Sequence, residues 1–300
     1  MKTSLDHLPE GKRRELERVV EILFAEFEDA LKGRNAPHRK AGRILKIVLF
    51  GSYARGDWVD DPVGGYKSDY DLLVVVNHDE LTDLPEYWGP ADDHLLREYQ
   101  IAKRLTAPAN FIVHSLTDVN KQLKKGRPFF VDIVRDGIAL YEAADHPFNQ
   151  AEPLSAEAAR AEAQSYFDEW FGTAVEFAAG AEFHRERAAP KLAAFNLHQA
   201  TERLYHCVLL VLTLYSPKSH KLNFLRSQAE QIAPILIAAW PRETRPEQRC
   251  WELLRRAYVD ARYSPHYKIS GEELAWLTER IAVLQTTVEA VCRDRLNSRS

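Results

Sequence analysis

Cysteine is scarce in this sequence. The three cysteines, Cys207, Cys250 and Cys292, are odd in number and lie far apart along the chain. Their spacing does not match the paired motifs that bind zinc. So few cysteines are typical of a protein from a reducing compartment, and we therefore expect a cytoplasmic location.

Long apolar runs and a surplus of one charge are missing as well. No stretch approaches the roughly 18 apolar residues of a membrane span, and the opening segment, MKTSLDHLPEGKRREL, lacks the apolar centre of a signal peptide. The chain has 40 Lys and Arg against 44 Asp and Glu, a net charge of −4, and neither half is basic. These absences argue against a membrane partner and against nucleic-acid binding by bulk charge, although a local basic patch stays possible.

The first half of the chain mixes helical and strand patterns. Apolar residues at helical spacing predict a helix over 12–32. Apolar runs predict buried strands at 44–50, 71–76 and 111–116. Further helices then follow, the first with Thr117 as its N-cap, and a last strand comes after Gly137. This pattern predicts an α+β domain with a small mixed sheet over 1–142, its core at 40–142.

The second half reads as helix throughout. Residues 143–154 carry two prolines and little periodicity, which predicts a linker. Residues 155–295 predict a helical bundle, with a third helix over roughly 222–240. Ser270 followed by Glu273 forms a capping box at the start of the last helix.

A specific constellation joins the first two strands. The run ILKIVLF ends at Gly51-Ser52, and the next strand opens with Asp69 and Asp71, two residues apart. Alternation along a strand directs both carboxylates to one face, where hard oxygen ligands suit Mg²⁺. Gly51 lets the backbone approach a phosphate, and Ser52 offers an N–H and a hydroxyl. The pattern indicates phosphoryl or nucleotidyl transfer; the simpler alternative is a pair of ordinary turn residues.

The stretch FGSYARGD…SDYDLLVVV resembles the minimal nucleotidyltransferases of the polymerase-β-like superfamily, including the kanamycin-nucleotidyltransferase type. The resemblance covers roughly 40–142. It implies that Gly51 and Ser52 bind the triphosphate and that Asp69 and Asp71 are catalytic and hold Mg²⁺.

Two more residues of the motif are assigned to nucleotide binding by the same resemblance, Arg55 and Ser68. Arg55 can equally be a solvated loop charge. The connection VDDPVGGYK, residues 59–67, is long for the family and reads as an insertion, which could form a flexible lip over the nucleotide.

The resemblance also implies a third acid on the next strand, which serves as a metal ligand and as the base for the acceptor. In PANFIVHSL that place holds Asn110, which can coordinate a metal but cannot take a proton. His114 lies on the same strand face, and Asp118 follows just beyond it. These are the alternative candidates for the missing base.

A polar stripe marks the second long helix of the bundle. Asn196, Gln199, Arg203 and His206 recur at helical spacing, which indicates either a solvated face or a polar cleft. We expect Arg262 and His266, in ARYSPHY, to face the cleft from another helix. An opposite stripe is apolar and comprises Leu192, Phe195, Ala200, Leu204, Val208 and Val211.

This half resembles a HEPN domain in its HQATE helix, in KSHKLNFL and in YVDARYSPHYKIS. Many HEPN domains are dimeric, metal-independent ribonucleases with an Arg and a His four to six residues beyond it. Here three residues separate Arg262 from His266, and Pro265 is one of them, which breaks a helix. The resemblance therefore implies binding of nucleotide or acceptor more than RNA cleavage, with a possible homodimer.

Together these patterns predict an Mg²⁺-dependent enzyme that moves a nucleoside monophosphate from a nucleoside triphosphate, ATP in the first instance, to a hydroxyl acceptor. The acceptor could be a small molecule, a protein side chain or an RNA end. Two alternatives remain: a toxin–antitoxin-like ribonuclease fused to its nucleotidyltransferase partner, and a nucleotide-binding sensor with weak catalysis.

Overall fold

A computed structural model describes residues 1–33, 36–61 and 66–298 of the chain. It divides into two compact units, the first spanning Met1–Leu154 and the second beginning at Ser155. Each unit has its own core and is described by itself.

The first unit is a mixed α+β domain, as the sequence predicts. Its helices are α1 (Glu10–Leu31), α2 (Pro37–Lys40), α3 (Gly51–Arg55), α4 (Gly89–Gln100), α5 (Leu116–Lys124) and α6 (Pro128–Asp136). Its strands are β1 (Ile44–Phe50), β2 (Asp60–Asp61), β3 (Tyr66–Lys67), β4 (Tyr70–Val76), β5 (Ala109–Ser115) and β6 (Ile138–Glu142). A 3₁₀ turn (Asp79–Thr82) and a π-helical turn (Leu84–Trp88) connect β4 to α4.

The main sheet has the strand order β5-β4-β1-β6. Strand β1 pairs antiparallel with both β4 and β6, whereas β4 pairs in parallel with β5. Strands β2 and β3 form a separate antiparallel pair in the connection that leads to β4. Because β1 and β4 run in opposite directions, the end of β1 lies beside the start of β4.

Helix α1 covers one face of the sheet. Its apolar stripe, including Leu16, Val19 and Phe27, belongs to the same buried cluster as Leu72 and Val74 of β4. Helices α5 and α6 pack on the other face, against β1, β4 and β5. The side chains of Asp71 and Asn110 belong to that second face, since alternation places them opposite Leu72.

The start of α5 differs from the prediction. Ser115, not Thr117, is the N-cap, and its hydroxyl accepts a hydrogen bond from the Asp118 N–H at 3.0 Å. The reason is that β5 ends at Ser115 and passes into the helix without an intervening loop. Gly137 does separate α6 from β6, as predicted.

The second unit is an all-helical bundle. Its helices are α7 (Ala156–Glu186), α8 (Pro190–Thr213), α9 (Leu222–Ile232), α10 (Arg245–Tyr263) and α11 (Gly271–Asn297). The long helix α8 lies at its centre, in contact with the other four. The cysteines Cys207 and Cys292, distant in sequence, meet in this core with their sulfur atoms 4.0 Å apart.

Two details of the bundle test the helix predictions. The third helix is shorter than 222–240: it ends at Ile232, and a 3₁₀ turn, Pro234–Ala239, follows because Pro234 cannot donate to a continuing helix. The capping box of Ser270 and Glu273 is confirmed. None of the helices in the described part of the chain is both long and apolar enough to cross a membrane.

Candidate active site

The Gly-Ser turn closes the end of β1. Gly51 has a φ of +72°, in the left-handed region that favours glycine, and α3 begins there. Ser52 is only 5% exposed. Its hydroxyl oxygen has no hydrogen-bond partner among the residues that the structure describes. A buried hydroxyl without a partner is unfavourable, so this turn is suited to a polar ligand such as a phosphate oxygen.

The two aspartates lie beside this turn. Asp71 is opposite Phe50 on β1 and opposite Asn110 on β5. Its position near the start of β4 is therefore fixed by a neighbouring strand on each side. It is fully buried, and Asp69, two residues earlier, is 8% exposed. The structure thus brings together the Gly-Ser turn and both carboxylates of the predicted motif.

Asn110 occupies the place next to the aspartates. Its side-chain amide donates a hydrogen bond of 2.7 Å to Asp69 Oδ2. The register opposite Asp71 and this contact place Asn110 in the constellation. An amide here orients Asp69 and can coordinate a metal through its carbonyl, but it cannot act as a base.

Oxygen atoms are the donors that this site offers to a cation such as Mg²⁺. No group of three or more His, Cys, Asp or Glu side chains arranged for a metal occurs within residues 1–33, 36–61 and 66–298. Two buried carboxylates beside an unpartnered hydroxyl are nevertheless a suitable set, because Mg²⁺ usually takes one or two carboxylates and completes its shell with water and substrate phosphates. Asp69 and Asp71 could therefore hold this ion together with a nucleotide.

Ser68 and Arg55 have structural partners. The Ser68 hydroxyl accepts from the Val59 N–H at 2.9 Å, and the Ser68 N–H donates to the Val59 carbonyl at 2.8 Å, so Ser68 holds the two ends of the connection together. Arg55 is exposed and donates to Asp57 at 3.2 Å. Of the predicted insertion 59–67, residues 62–65 lie outside the described part of the chain.

His114 is remote from the aspartates. It lies four residues beyond Asn110 on β5, about 13 Å along the strand. Its Nδ1 contacts Asp118 Oδ2 at 2.6 Å, and this hydrogen bond lowers the pKa of the Asp118 carboxyl. The ring also packs edge-on against Phe130. The structure thus joins His114 to Asp118 and does not bring either residue to Asp69 and Asp71.

A buried network behind the Asp-x-Asp segment was not foreseen. Tyr70, between the two aspartates, points to the opposite face and donates to Glu15 of α1 at 2.9 Å. Glu15 also accepts from the backbone N–H and the hydroxyl of Thr106. Burial raises the pKa of Tyr70. The available signal was Glu15 itself, a charged residue four positions before Val19 on the apolar stripe of α1.

Comparison with known proteins agrees with this geometry. The family model "Nucleotidyltransferase domain" matches residues 33–129, and the family model "HEPN domain" matches residues 167–289. A protein of Methanocaldococcus jannaschii named "Putative protein adenylyltransferase MJ0604" is 35% identical over 123 residues, which are 40% of this chain and 97% of that protein. The chain belongs to the nucleotidyltransferase family. Its nucleotidyltransferase domain is followed by a HEPN domain, and the protein is a transferase.

In the HEPN domain, three residues of the predicted polar stripe of α8 lie against α7. Arg203 stacks on Trp170 of α7, its guanidinium carbon 4.4 Å from the ring centroid, and His206 packs on the same ring. Asn196 also faces α7, next to Gly180. Gln199 instead lies against the buried side chains of His198 and Glu202, at 3.3 and 3.4 Å.

None of the contacts described joins Arg262 or His266 to the four residues of that stripe. Arg262 donates to the Tyr258 carbonyl at 2.6 Å, and its guanidinium carbon lies 5.3 Å from the ring centroid of Phe195 on α8. His266 is exposed and lies beyond the end of α10 at Tyr263. The expectation of one shared cleft stays a prediction: Arg262 reaches α8 at Phe195, one position before Asn196 of the stripe.

Two histidines of α8 are neutral because they are buried. Burial lowers the pKa of His198 to about 3 and that of His206 to about 4. His206 is held by Ser216 and by the carbonyl of Ser219. Since neither imidazole carries a charge near neutral pH, both belong to the packed interior of the domain.

Proposed function

We propose that this enzyme transfers a nucleoside monophosphate from ATP to a hydroxyl group, in an Mg²⁺-dependent reaction. The observation that carries the proposal is the unpartnered, buried Ser52 hydroxyl beside two buried carboxylates. A phosphate would satisfy the first, and a divalent cation would neutralise the second.

In this scheme Gly51 and Ser52 bind the phosphate chain, and Asp69 and Asp71 hold Mg²⁺, which when bound offsets the negative charge of the phosphates. The acceptor oxygen forms a bond to the α-phosphorus. The bond from that phosphorus to the bridging oxygen of the β-phosphate breaks, and pyrophosphate leaves. Asn110 orients Asp69 but cannot accept a proton. The proton of the acceptor therefore passes to water or to a base that the acceptor brings.

The donor and the acceptor class are supported by the comparison. The name of the Methanocaldococcus relative specifies adenylyl transfer to protein, which favours ATP as donor and a protein hydroxyl as acceptor. A small molecule or an RNA end would be the other outcomes.

For the HEPN domain we propose binding of nucleotide or acceptor, with Arg262 as the contact residue. Its guanidinium lies within stacking distance of the Tyr258 and Tyr263 rings, and Tyr263 is 73% exposed. A cation among aromatic rings suits stacking on a base or an aromatic side chain. His266 lies three residues beyond the end of α10, so this helix does not present Arg262 and His266 as a pair. This does not favour the ribonuclease alternative.

The test replaces both carboxylates, Asp69→Asn with Asp71→Asn, and follows the label of α-labelled ATP into the proteins of a cell extract. We expect transfer to vanish in the variant and in wild type treated with EDTA. Without Mg²⁺ the variant should be as stable as wild type or more so, because two buried carboxylates repel each other. The matched control is Asp93→Asn, an exposed aspartate of α4, which should transfer normally.

Undiminished transfer in the double variant would refute the assignment of the site. Label that enters small molecules or RNA would change the assigned class of acceptor but would leave the assignment of the site intact. Loss of RNA without label transfer would favour the ribonuclease alternative.

A further inference from the structure

A second group of buried polar side chains lies within the HEPN domain. Tyr205 belongs to α8, Arg226 and Glu230 to α9, and Trp240 and Arg242 follow the 3₁₀ turn. Tyr205 is fully buried, and Trp240, Glu230 and Arg226 are 1%, 2% and 8% exposed. We call these five residues the Tyr205 cluster.

Positive charge exceeds negative charge in the cluster. Arg226 Nε donates to Glu230 Oε1 at 2.7 Å, and Arg242 Nη2 lies 3.7 Å from Glu230 Oε2. The charges of both guanidiniums and of this carboxylate act on the Tyr205 hydroxyl. Each oxygen of Glu230 thus lies near one arginine, and a single carboxylate is paired with two cations.

The cluster also contains more donors than acceptors. Arg226 Nη2, Trp240 Nε1 and the Tyr205 hydroxyl have no hydrogen-bond partner among the described residues. The indole N–H is near enough to influence the Tyr205 hydroxyl, but the two do not reach hydrogen-bond geometry. Guanidinium and indole groups only donate, so the group they need is an acceptor. Buried donors left unsatisfied are costly.

We propose that the Tyr205 cluster is a binding site for an oxyanion of the phosphate type. Several oxygens on one centre can accept from guanidinium, indole and phenol donors at once, and the negative charge offsets the surplus positive charge. A water molecule would supply an acceptor but no charge. The Arg242 side chain is 23% exposed, so the cluster reaches solvent at this residue and an anion can enter there.

The oxyanion could be free phosphate or the phosphate group of a nucleotide, and the test separates them. Equilibrium dialysis of the full chain with radiolabelled phosphate, at constant ionic strength in sodium chloride, measures the affinity. Tyr205→Phe keeps the ring and removes one donor, so affinity should fall about tenfold or more. Thermal unfolding in chloride alone should occur at the same or a higher temperature, because the hydroxyl had no partner.

Tyr267→Phe is the matched control. Tyr267 is a buried tyrosine of the same domain, but its hydroxyl donates to the Leu253 carbonyl at 3.0 Å. This variant should unfold at a lower temperature and bind phosphate as wild type does. The contrast separates loss of a ligand contact from general damage to the core.

Phosphate that the Tyr205→Phe variant binds as tightly as wild type would overturn the proposal, as would the absence of phosphate binding to wild type. ATP that displaces the Tyr205-dependent phosphate would identify a nucleotide phosphate group as the ligand. Displacement by sulfate but not by ATP would identify a free oxyanion. The readout is independent of transfer activity and of Asp69 and Asp71.

Discussion

At the scale of single residues, Asn110 decides how the site can work. It lies opposite Asp71 in register and donates to Asp69, a position from which a carboxylate would serve as a third ligand and as a base. Its amide instead offers a donor to one buried carboxylate and adds no negative charge. In the proposed mechanism, the site would therefore hold a metal-bound triphosphate but would have no proton acceptor at this position.

We predict that Asn110→Asp raises turnover while nucleotide affinity stays the same. Positioned proton transfer is typically worth about 10²–10⁴-fold in rate. Without Mg²⁺ the variant should be less stable than wild type, since a third carboxylate joins two buried ones. Single-turnover rates, nucleotide Kd values and unfolding with and without Mg²⁺ would measure both effects.

The control is Asn120→Asp, an asparagine of α5 whose Oδ1 accepts from the Asn149 N–H, a bond that aspartate retains. It should change neither rate nor affinity. Brisk turnover by wild type, with no gain in Asn110→Asp, would show that another residue supplies the base.

At the scale of elements, α1 and β4 are tied together directly behind the site. Tyr70 and Thr106 both bind the Glu15 carboxylate, and the Lys12 ammonium donates to the Thr106 hydroxyl at 2.6 Å. This network holds the backbone between Asp69 and Asp71 from the opposite face of the sheet. The positions of the carboxylates thus depend on helix packing as well as on strand register.

Tyr70→Phe should therefore lower the free energy of unfolding by about 1.5–3 kcal/mol, the usual size of a hydrogen bond to a charged group. Denaturant unfolding would measure this loss. Tyr141→Phe is the control, because Tyr141 packs on Phe24 of α1 and its hydroxyl makes none of the hydrogen bonds described. An equal loss of stability in both variants would show that the hydrogen bond from Tyr70 to Glu15 does not account for the effect.

At the scale of the whole molecule, the sequence was sufficient for the order of domains, the main strands and the convergence of Gly51, Ser52, Asp69 and Asp71. The apolar pattern of a strand depends only on residues close together in sequence, and the motif lies where β1 ends and its partner β4 begins. The strands and the motif can therefore both be recognised from the sequence. The Tyr205 cluster could not be foreseen, because it joins α8, α9 and the turn after α9. The contacts of the polar stripe on α8 could not be predicted either, because they depend on which helices pack beside α8, and the sequence of α8 alone does not determine this.

The last prediction concerns how the two domains respond to acid. His198 and His206 have folded-state pKa values of about 3 and about 4, both lowered mainly by burial from an ordinary value near 6.5. As pH falls below 6.5, the unfolded chain takes up protons that the folded HEPN domain cannot. The free energy of unfolding of this domain should therefore fall steadily between pH 6.5 and about pH 4.

Hydrogen exchange read by peptide should show protection in residues 155–298 falling with acid over this range, beyond any change in residues 1–33, 36–61 and 66–154. The variant His198→Gln with His206→Gln has no imidazole to protonate at these positions, so its protection should be lower at neutral pH but depend less on pH. The control His184→Gln replaces a half-buried histidine of α7 and should keep the wild-type slope. An equally steep slope in the double variant would show that carboxylates, and not the buried histidines, cause the acid sensitivity.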